Sequence, residues 1–447
     1  MENEKKHIYG LQFHAEVKHT VHGMKILENF LFKICNCEKN WTAKNFLQKK
    51  IQEIREKVGE KKVLVLASGG VDSTVCLALL AKALPPEQVI AFHIDTGFMR
   101  YNESEEVKKA LAKIGYWNLK VIQAKYDFVF PLQKVIDPEE KRKIIGKKFV
   151  DIKQKELKKL NLNPNDWILC QGTIYPDTIE SAGTKHSDKI KTHHNRVQEI
   201  LDLMEQGKVI EPIQELYKDE VRKLGIELGL PKELIQRHPF PGPGLAIRIL
   251  CSNGKTEHGL PELEKKVNNL ISDSGFNAKI LPVQSVGVQG DERSYQHAAV
   301  VQGKLNWIKL EKLSVQITNQ IKEVNRVVYL VEPEKIIGLK VKKTYLDKKR
   351  IEQARKLDKI VNDVIRKHKL LETIWQFPTV LIPVQANYKL QESVVLRPVE
   401  STEAMTANFY KMNEKVLKEL VQKLRKQKVS AIFYDITNKP PATIEWE

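Results

Sequence analysis

The sequence predicts an α/β chain: a doubly wound parallel sheet, followed by an α+β region that is internally repeated. Three observations carry this. Val63-Leu64-Val65-Leu66-Ala67 is an unbroken apolar run, the pattern of a strand buried on both faces. The runs Val89–Ile94 and Leu119–Ile122 follow, separated by helix-period segments (Thr74–Leu84; Val107, Ala110, Leu111 and Ile114), which gives β-loop-α-β-α-β. Beyond residue 245, strands and helices alternate with an echo. Leu281-Pro282-Val283-Gln284 returns as Ile382-Pro383-Val384-Gln385, and Val324–Tyr329 returns as Val429–Tyr434. The echo predicts a duplicated βαβ-type unit of about 100 residues; chance recurrence of short apolar strings is the competing reading.

At 447 residues the chain is too long for one core, and 42% hydrophobic with 29% charged residues excludes a disordered polymer. No apolar run reaches the roughly 18–20 residues of a membrane span, and the polar start has no secretory h-region. The five cysteines are odd in number, and Cys76, Cys170 and Cys251 lie in apolar runs. They read as buried thiols in a reducing, cytoplasmic setting. Cys35 and Cys37 lack the second cluster a metal site needs. The net charge of +18 fits a nucleic-acid partner, solvated lysine faces such as Lys153–Lys159, or a cleft for a polyanionic nucleotide.

The remaining elements are read more coarsely. Residues 8–34 suggest a strand, a turn and a helix, and Phe46, Ile51, Ile54 and Val58 a helical stripe. Residues 125–195 read as charged, irregular excursions plus the strand Trp167–Cys170, with helical patterns resuming at Val197–Met204 and Pro212–Leu228. The string His238-Pro239-Phe240-Pro241-Gly242-Pro243-Gly244 interrupts any element and marks a boundary. The expected units are 1–36, 37–240 and 241–447.

Ser68-Gly69-Gly70-Val71-Asp72-Ser73 follows the first buried strand and opens a helix. Parallel sheets place ligands at the carboxyl ends of their strands. Two glycines allow close backbone approach, and the free N–H groups of the loop and helix start face an anion. Ser68 and Ser73 add hydroxyls, and Asp72 can hold Mg²⁺ together with phosphate oxygens. The spacing is not that of a Walker A loop. Asp95, at the end of the next strand, faces the same edge or caps its own turn.

The Ser68–Ser73 string resembles the PP-loop of the ATP pyrophosphatases (adenine nucleotide alpha hydrolase-like), in which the leaving group is pyrophosphate. Within that group, Lys439-Pro440-Pro441-Ala442-Thr443-Ile444-Glu445-Trp446-Glu447 resembles the ending of the GMP synthetases. His238–Arg248, Val286–Tyr295, Glu140–Gly146, Gln171–Asp177 and Lys191–Asn195 are similar to that family's segments, so the resemblance covers nearly the whole chain. It implies an ATP pyrophosphatase domain, an α+β dimerisation domain and a homodimer. It also implies ATP and Mg²⁺ use, XMP and ammonia as further substrates, and no membrane or nucleic-acid partner. By position, Arg142, Asp291, Gln376, Lys439 and Glu445 become XMP contacts. Gly172 and Thr173 lie near adenosine, and Asp177, Lys191, His193 and His194 belong to a lid. A PP-loop tRNA-modifying enzyme and a non-catalytic nucleotide-binding relative are the alternatives; the Glu445-Trp446-Glu447 tail favours neither.

Gly10–Val17 resembles the end of a class I glutamine amidotransferase domain, with Ala15 where the family has proline. His14 and Glu16, two apart on a strand, share a face, so Glu16 can orient His14. The glutaminase cysteine should lie in a G-x-C-x-G turn, and none of the five cysteines has that context. The expectation is an amidotransferase remnant without glutaminase activity.

Overall fold

The apolar run at 63–67 becomes the central strand of a five-stranded sheet, the position its two-sided burial requires. The computed structural model describes residues 2–17, 20–159, 165–181, 198–255, 258–289, 292–401 and 406–447. Its first sheet comprises β1 (Lys62–Leu66), β2 (Val89–Asp95), β3 (Leu119–Gln123), β4 (Trp167–Cys170) and β5 (Val209–Ile210). The order is β3-β2-β1-β4-β5 and every pairing is parallel. Winding reverses between β1 and β4, so the crevice of this doubly wound sheet opens beyond the ends of those two strands.

Helix α1 (Val71–Ala83) leaves the phosphate loop and is buried on most sides, with Val75, Cys76, Leu77, Leu79 and Leu80 inaccessible. Helix α2 (Glu103–Lys113) links β2 to β3. Residues 125–195 depart from the irregular reading: Pro138–Lys159 is a single helix of 22 residues, α3. Its buried stripe runs Lys141, Ile145, Ile152 and Glu156. Charged residues at both ends of the stripe hide its apolar period. Helix α4 (Lys218–Glu227) packs on α1.

The second region forms one six-stranded sheet. Its elements are α5 (Leu260–Leu270), β6 (Asn277–Gln289), β7 (Glu292–Gln302), α6 (Trp307–Gln320), β8 (Val324–Glu332), α7 (Lys348–Lys367), β9 (Thr379–Ile382), β10 (Ser393–Leu396), α8 (Glu414–Arg425) and β11 (Ile432–Asp435). The strand order is β9-β10-β11-β8-β7-β6. Each half is a helix, an antiparallel hairpin, a crossover helix and a strand parallel to the hairpin's second member. The halves meet where β8 pairs antiparallel with β11, which gives the sheet an approximate two-fold. The echoed strings occupy matching places: Leu281-Pro282 lies at a register break in β6, and Ile382-Pro383 ends β9. The unit is thus ββαβ rather than βαβ; proline at the break disguises the extra strand.

The two regions share a core. Phe98, Phe128, Leu132, Ile145 and Ile152 cluster with Leu245, Ile249, Leu357, Val361 and Tyr434. The Pro/Gly string at 238–244 crosses this seam and ends in a short 3-10 helix, Gly244–Arg248. Gly244 has a φ of 63°, and any Cβ there would collide with the Phe98 carbonyl. Near the N-terminus, Glu2–Asn3 pairs antiparallel with Ile8–Tyr9, and the helix Gly23–Asn29 follows.

Candidate active site

The phosphate loop is braced by its own hydroxyls. Ser73 Oγ accepts from the Ser68 amide at 3.2 Å, lies 3.0 Å from Ser68 Oγ and donates to the Gly70 carbonyl at 3.2 Å. Thr74 Oγ1 donates to the same carbonyl at 2.8 Å. Gly69 has a φ of 86°, a left-handed conformation that side chains resist, and a Cβ there would lie 3.3 Å from Glu103 Oε1. Val71 starts α1, so the helix N-terminus points at the crevice. Gly172 leaves β4 on the other side, where a Cβ would meet the Ser73 amide at 3.2 Å. Next to it, buried Thr173 donates to Glu211.

Asp72 carries the strongest chemical signal. Its Oδ2 accepts from Lys218 Nζ, the first residue of α4, while its Oδ1 is buried without a hydrogen-bond partner. An orphaned carboxylate oxygen beside a phosphate cradle fits a hard cation held jointly with nucleotide oxygens. Among the described residues no group of three or more His, Cys, Asp or Glu is placed to hold a metal ion. Asp95 is buried and caps its own turn, accepting from the Gly97 amide at 3.0 Å, with Lys125 Nζ 3.4 Å away. Asp177 accepts from the Ile174 amide at 3.1 Å. Lys191, His193, His194 and Asp291 lie outside the described residues.

The C-terminal tail is threaded into the second sheet. It pairs with β6 through Gly287–Ala442, and the amides of Val286 and Val288 donate to Trp446 and Pro441. Lys439 bridges to Ala407, and Gln376 to Val399, on neighbouring strands of the same surface. Arg142, on α3, donates to a Glu447 main-chain oxygen, and its buried Nε has no hydrogen-bond partner but lies 3.7 Å from Glu139 Oε1. One turn earlier, Glu139 accepts from Arg293 and Tyr295, which lie near the turn end of the β6–β7 hairpin. Arg142 therefore touches the tail that carries Lys439 and Glu445, while Gln376 bridges Val399, whose strand pairs with the one that follows Ala407, the bridge partner of Lys439.

Buried ions hold this arrangement, and sequence reasoning missed most of them. Asp435, wholly buried on β11, accepts from Arg326 at 2.9 Å, Arg397 at 3.0 Å and Trp446 Nε1 at 2.9 Å. Burial raises its carboxyl, but the two guanidiniums outweigh burial and hold it below the usual carboxylate range. Burial lowers Arg326 to about 10, against the pull of Asp435. Arg326 also donates to the carbonyls of Val286, Thr443 and Glu445. Glu445, expected as an XMP contact, is gripped by Arg248 at 2.7 and 3.0 Å. Lys141 Nζ meets Glu447 Oε2 at 2.5 Å, and burial pushes that carboxyl up while Lys141 pulls it down. Arg248 closes the His238–Arg248 string and Lys141 lies inside Glu140–Gly146, so both stood within noticed motifs. Arg326, Arg397, Asp435 and Lys218 carry no local signal.

At the N-terminus, His14 Nδ1 lies 2.7 Å from Glu16 Oε1 on an exposed surface. Residues 11–17 are a bend rather than the expected strand, so the two side chains meet through local chain curvature and not through strand alternation. The five cysteines make no disulfide; Cys35 and Cys37 are exposed and the others buried.

Comparison with known proteins decides the family. The model of the GMP synthase C terminal domain matches residues 264–336 and 363–446, that of the asparagine synthase family matches 54–146, and that of the class-I glutamine amidotransferases matches 1–34. A probable glutamine-hydrolysing GMP synthase of Leptospira interrogans is 47% identical over 453 residues, covering 100% of this chain and 74% of the relative. The chain belongs to the GMP synthase family. A probable GMP synthase of Caenorhabditis elegans is 37% identical over 534 residues, and a GMP synthase of Dictyostelium discoideum 36% over 511, each covering 100% of this chain and 71% of the relative. The family's C-terminal model thus coincides with the six-stranded sheet and its tail, and the amidotransferase model is confined to the segment bearing His14 and Glu16.

Proposed function

We propose that this chain adenylates XMP with ATP and lets ammonia displace AMP, giving GMP, AMP and pyrophosphate. The observation that carries the reading is the coexistence, in one shared core, of a braced phosphate loop at a sheet switch point and a C-terminal tail that carries Lys439 and Glu445 and is held by Arg142. The oxygen on C2 of XMP attacks the α-phosphorus of ATP, and the bond to the β-phosphate oxygen breaks. Loop amides, the start of α1 and the Ser68 and Ser73 hydroxyls stabilise the charge that builds on pyrophosphate. Asp72 would hold Mg²⁺ together with phosphate oxygens, and the ion would supply charge neutralisation at the pyrophosphate. Lys218 releases Asp72 and turns to a phosphate oxygen. In the second step ammonia attacks C2 and AMP departs with the former XMP oxygen, a far better leaving group than oxide. Arg142 and Lys439 balance the XMP phosphate, and Glu445 orients the nucleotide while Arg248 holds it. Gly172 and Thr173 flank adenosine, and Asp95 shapes the crevice floor. Asp177, with Lys191, His193 and His194, serves the lid that excludes water, and Asp291 completes the XMP site. Most of the acceleration comes from positioning two nucleotides.

The same reading has the chain take ammonia rather than glutamine, since His14 and Glu16 have no G-x-C-x-G cysteine in these 447 residues. It also includes a homodimer in the cytoplasm, checked by sedimentation. The test is an assay with XMP, ATP, Mg²⁺ and either ammonium or glutamine, following GMP and AMP together. Equal yields of both with ammonium and none with glutamine are expected. GMP from glutamine would overturn the ammonia reading, and failure to bind XMP would overturn the whole.

A further inference from the structure

A line of buried charge runs from the phosphate loop to the tail. Glu103 Oε1 lies where a Gly69 side chain would touch it, and Glu103 Oε2 accepts from the Arg100 amide at 3.0 Å. The Arg100 side chain donates to the His238 carbonyl at 3.1 Å and approaches Asp358 Oδ2 at 3.9 Å. Asp358, on α7 and 3% exposed, has Arg248 Nη1 3.8 Å from its Oδ1 on the other side. Arg248, 2% exposed, then grips Glu445 through two hydrogen bonds. Signs alternate from Arg100 through Asp358 and Arg248 to Glu445, while Glu103, which pairs with Arg237 at 3.6 Å, joins the line through the Arg100 amide. The ring of Phe240, in the Pro/Gly string, lies between the two guanidiniums, 4.4 Å from Arg100 and 5.1 Å from Arg248. A second arm of α7 ties the same loop, for Arg355 donates to the carbonyls of Gly97 and Met99 at 2.6 and 3.1 Å.

The middle of the line is loose. Asp358 Oδ1 and Arg100 Nε are both buried without a hydrogen-bond partner, and among the described residues only Asn362 donates to the Asp358 side chain, at 2.9 Å. Both arginine contacts exceed hydrogen-bond length by about 1 Å. A carboxylate so placed can close on one guanidinium by a movement of that size, drawing away from the other. Buried charges add little stability over apolar side chains of similar volume. What they add here is a directional link between two segments that apolar packing would not register.

We propose that Asp358 is a positioning residue that couples the two nucleotide sites: occupation of the phosphate loop shifts Arg100, Asp358 follows, and Arg248 sets Glu445 for XMP. The inference rests on the reading that loop and tail bind ATP and XMP. By linkage, XMP must then tighten ATP binding by the same factor as ATP tightens XMP.

The test is calorimetric binding of α,β-methylene-ATP to the whole chain, without and with saturating XMP, in the parent, Asp358→Asn and Asp358→Glu. XMP should tighten the analogue roughly tenfold in the parent, within the usual range of coupling. In Asp358→Asn each ligand alone should bind near its parental affinity while the coupling falls to within about twofold of none; Asp358→Glu should recover part of it. A merely structural role would weaken both ligands and leave their ratio intact, and that result would overturn the proposal. Parental binding of both ligands with no coupling would overturn it while leaving the proposed function standing; no XMP binding would remove both. If Asp358→Asn does not fold, Arg100→Lys, which keeps the charge but loses the reach, must lower the coupling at least about threefold, and an unchanged ratio overturns the proposal.

Discussion

The phosphate loop and the C-terminal tail, the two ends of the proposed site, are held by opposite means. The loop is braced within six residues by serine hydroxyls and main-chain groups, at a helix start that carries the charge complement itself. The tail is a strand-like segment without a helix of its own, fixed by ions reaching it from Arg326, Arg397 and Asp435 in the sheet and from Arg248 and Lys141 across the seam. A locally braced element survives loss of one contact; a segment held by buried ions does not, because each lost partner strands a charge. The contrast sets the order of expected effects.

Asp435→Asn should be the most damaging single change. It leaves Arg326 and Arg397 buried without the one carboxylate that ion-pairs with both, and removal of one partner of a buried pair costs roughly 3–5 kcal/mol. Urea unfolding should register that loss; a change below about 1 kcal/mol would show that the tail is not ion-held.

The seam itself titrates. Burial, aided by the nearby Arg100 charge, depresses His238 from 6.5 to about 4. The unfolded chain therefore takes up this proton first. The contribution is complete above pH 6.5 and is lost as pH falls towards 4. Its full size is at most about 3 kcal/mol. His238→Gln should flatten stability across that window without altering it at pH 8; an unchanged slope would contradict the neutral buried imidazole.

On the loop side the effects should be kinetic. Gly69→Ala forces a side chain into a left-handed conformation next to Glu103, at a cost of about 1–2 kcal/mol, and should lower kcat/KM for ATP about tenfold to a hundredfold through displaced phosphates. Ser73→Ala removes one brace among several, about 1 kcal/mol, and should raise the KM for ATP several-fold with little change in unfolding. At the bottom of the scale, His14→Ala on the exposed N-terminal surface should leave ammonium-dependent GMP formation unchanged.

The same contrast explains what the sequence disclosed. The loop was legible because strand, glycines, hydroxyls and helix start are neighbours in the chain, and each has a local reason to be there. The first sheet followed from unbroken apolar runs. Helix α3 was not legible, since Lys141 and Glu156 occupy buried positions where the helical period expects apolar side chains. The ββαβ halves were half visible: the echo marked corresponding strands, but proline at 282 and 383 hid how the hairpins continue. Asp435, Arg326 and Asp358 were invisible because an ion pair between residues about a hundred apart leaves no periodic trace. The tail could be noticed as a string through resemblance, yet what grips it could be found only in three dimensions.

The most direct measurement follows one oxygen atom. XMP labelled with ¹⁸O at C2, incubated with ATP, Mg²⁺ and ammonium, should yield AMP carrying the label in its phosphate, since the adenylated oxygen leaves with AMP. Label appearing in water or pyrophosphate, with unlabelled AMP, would contradict adenylation of XMP as the chemistry of this fold.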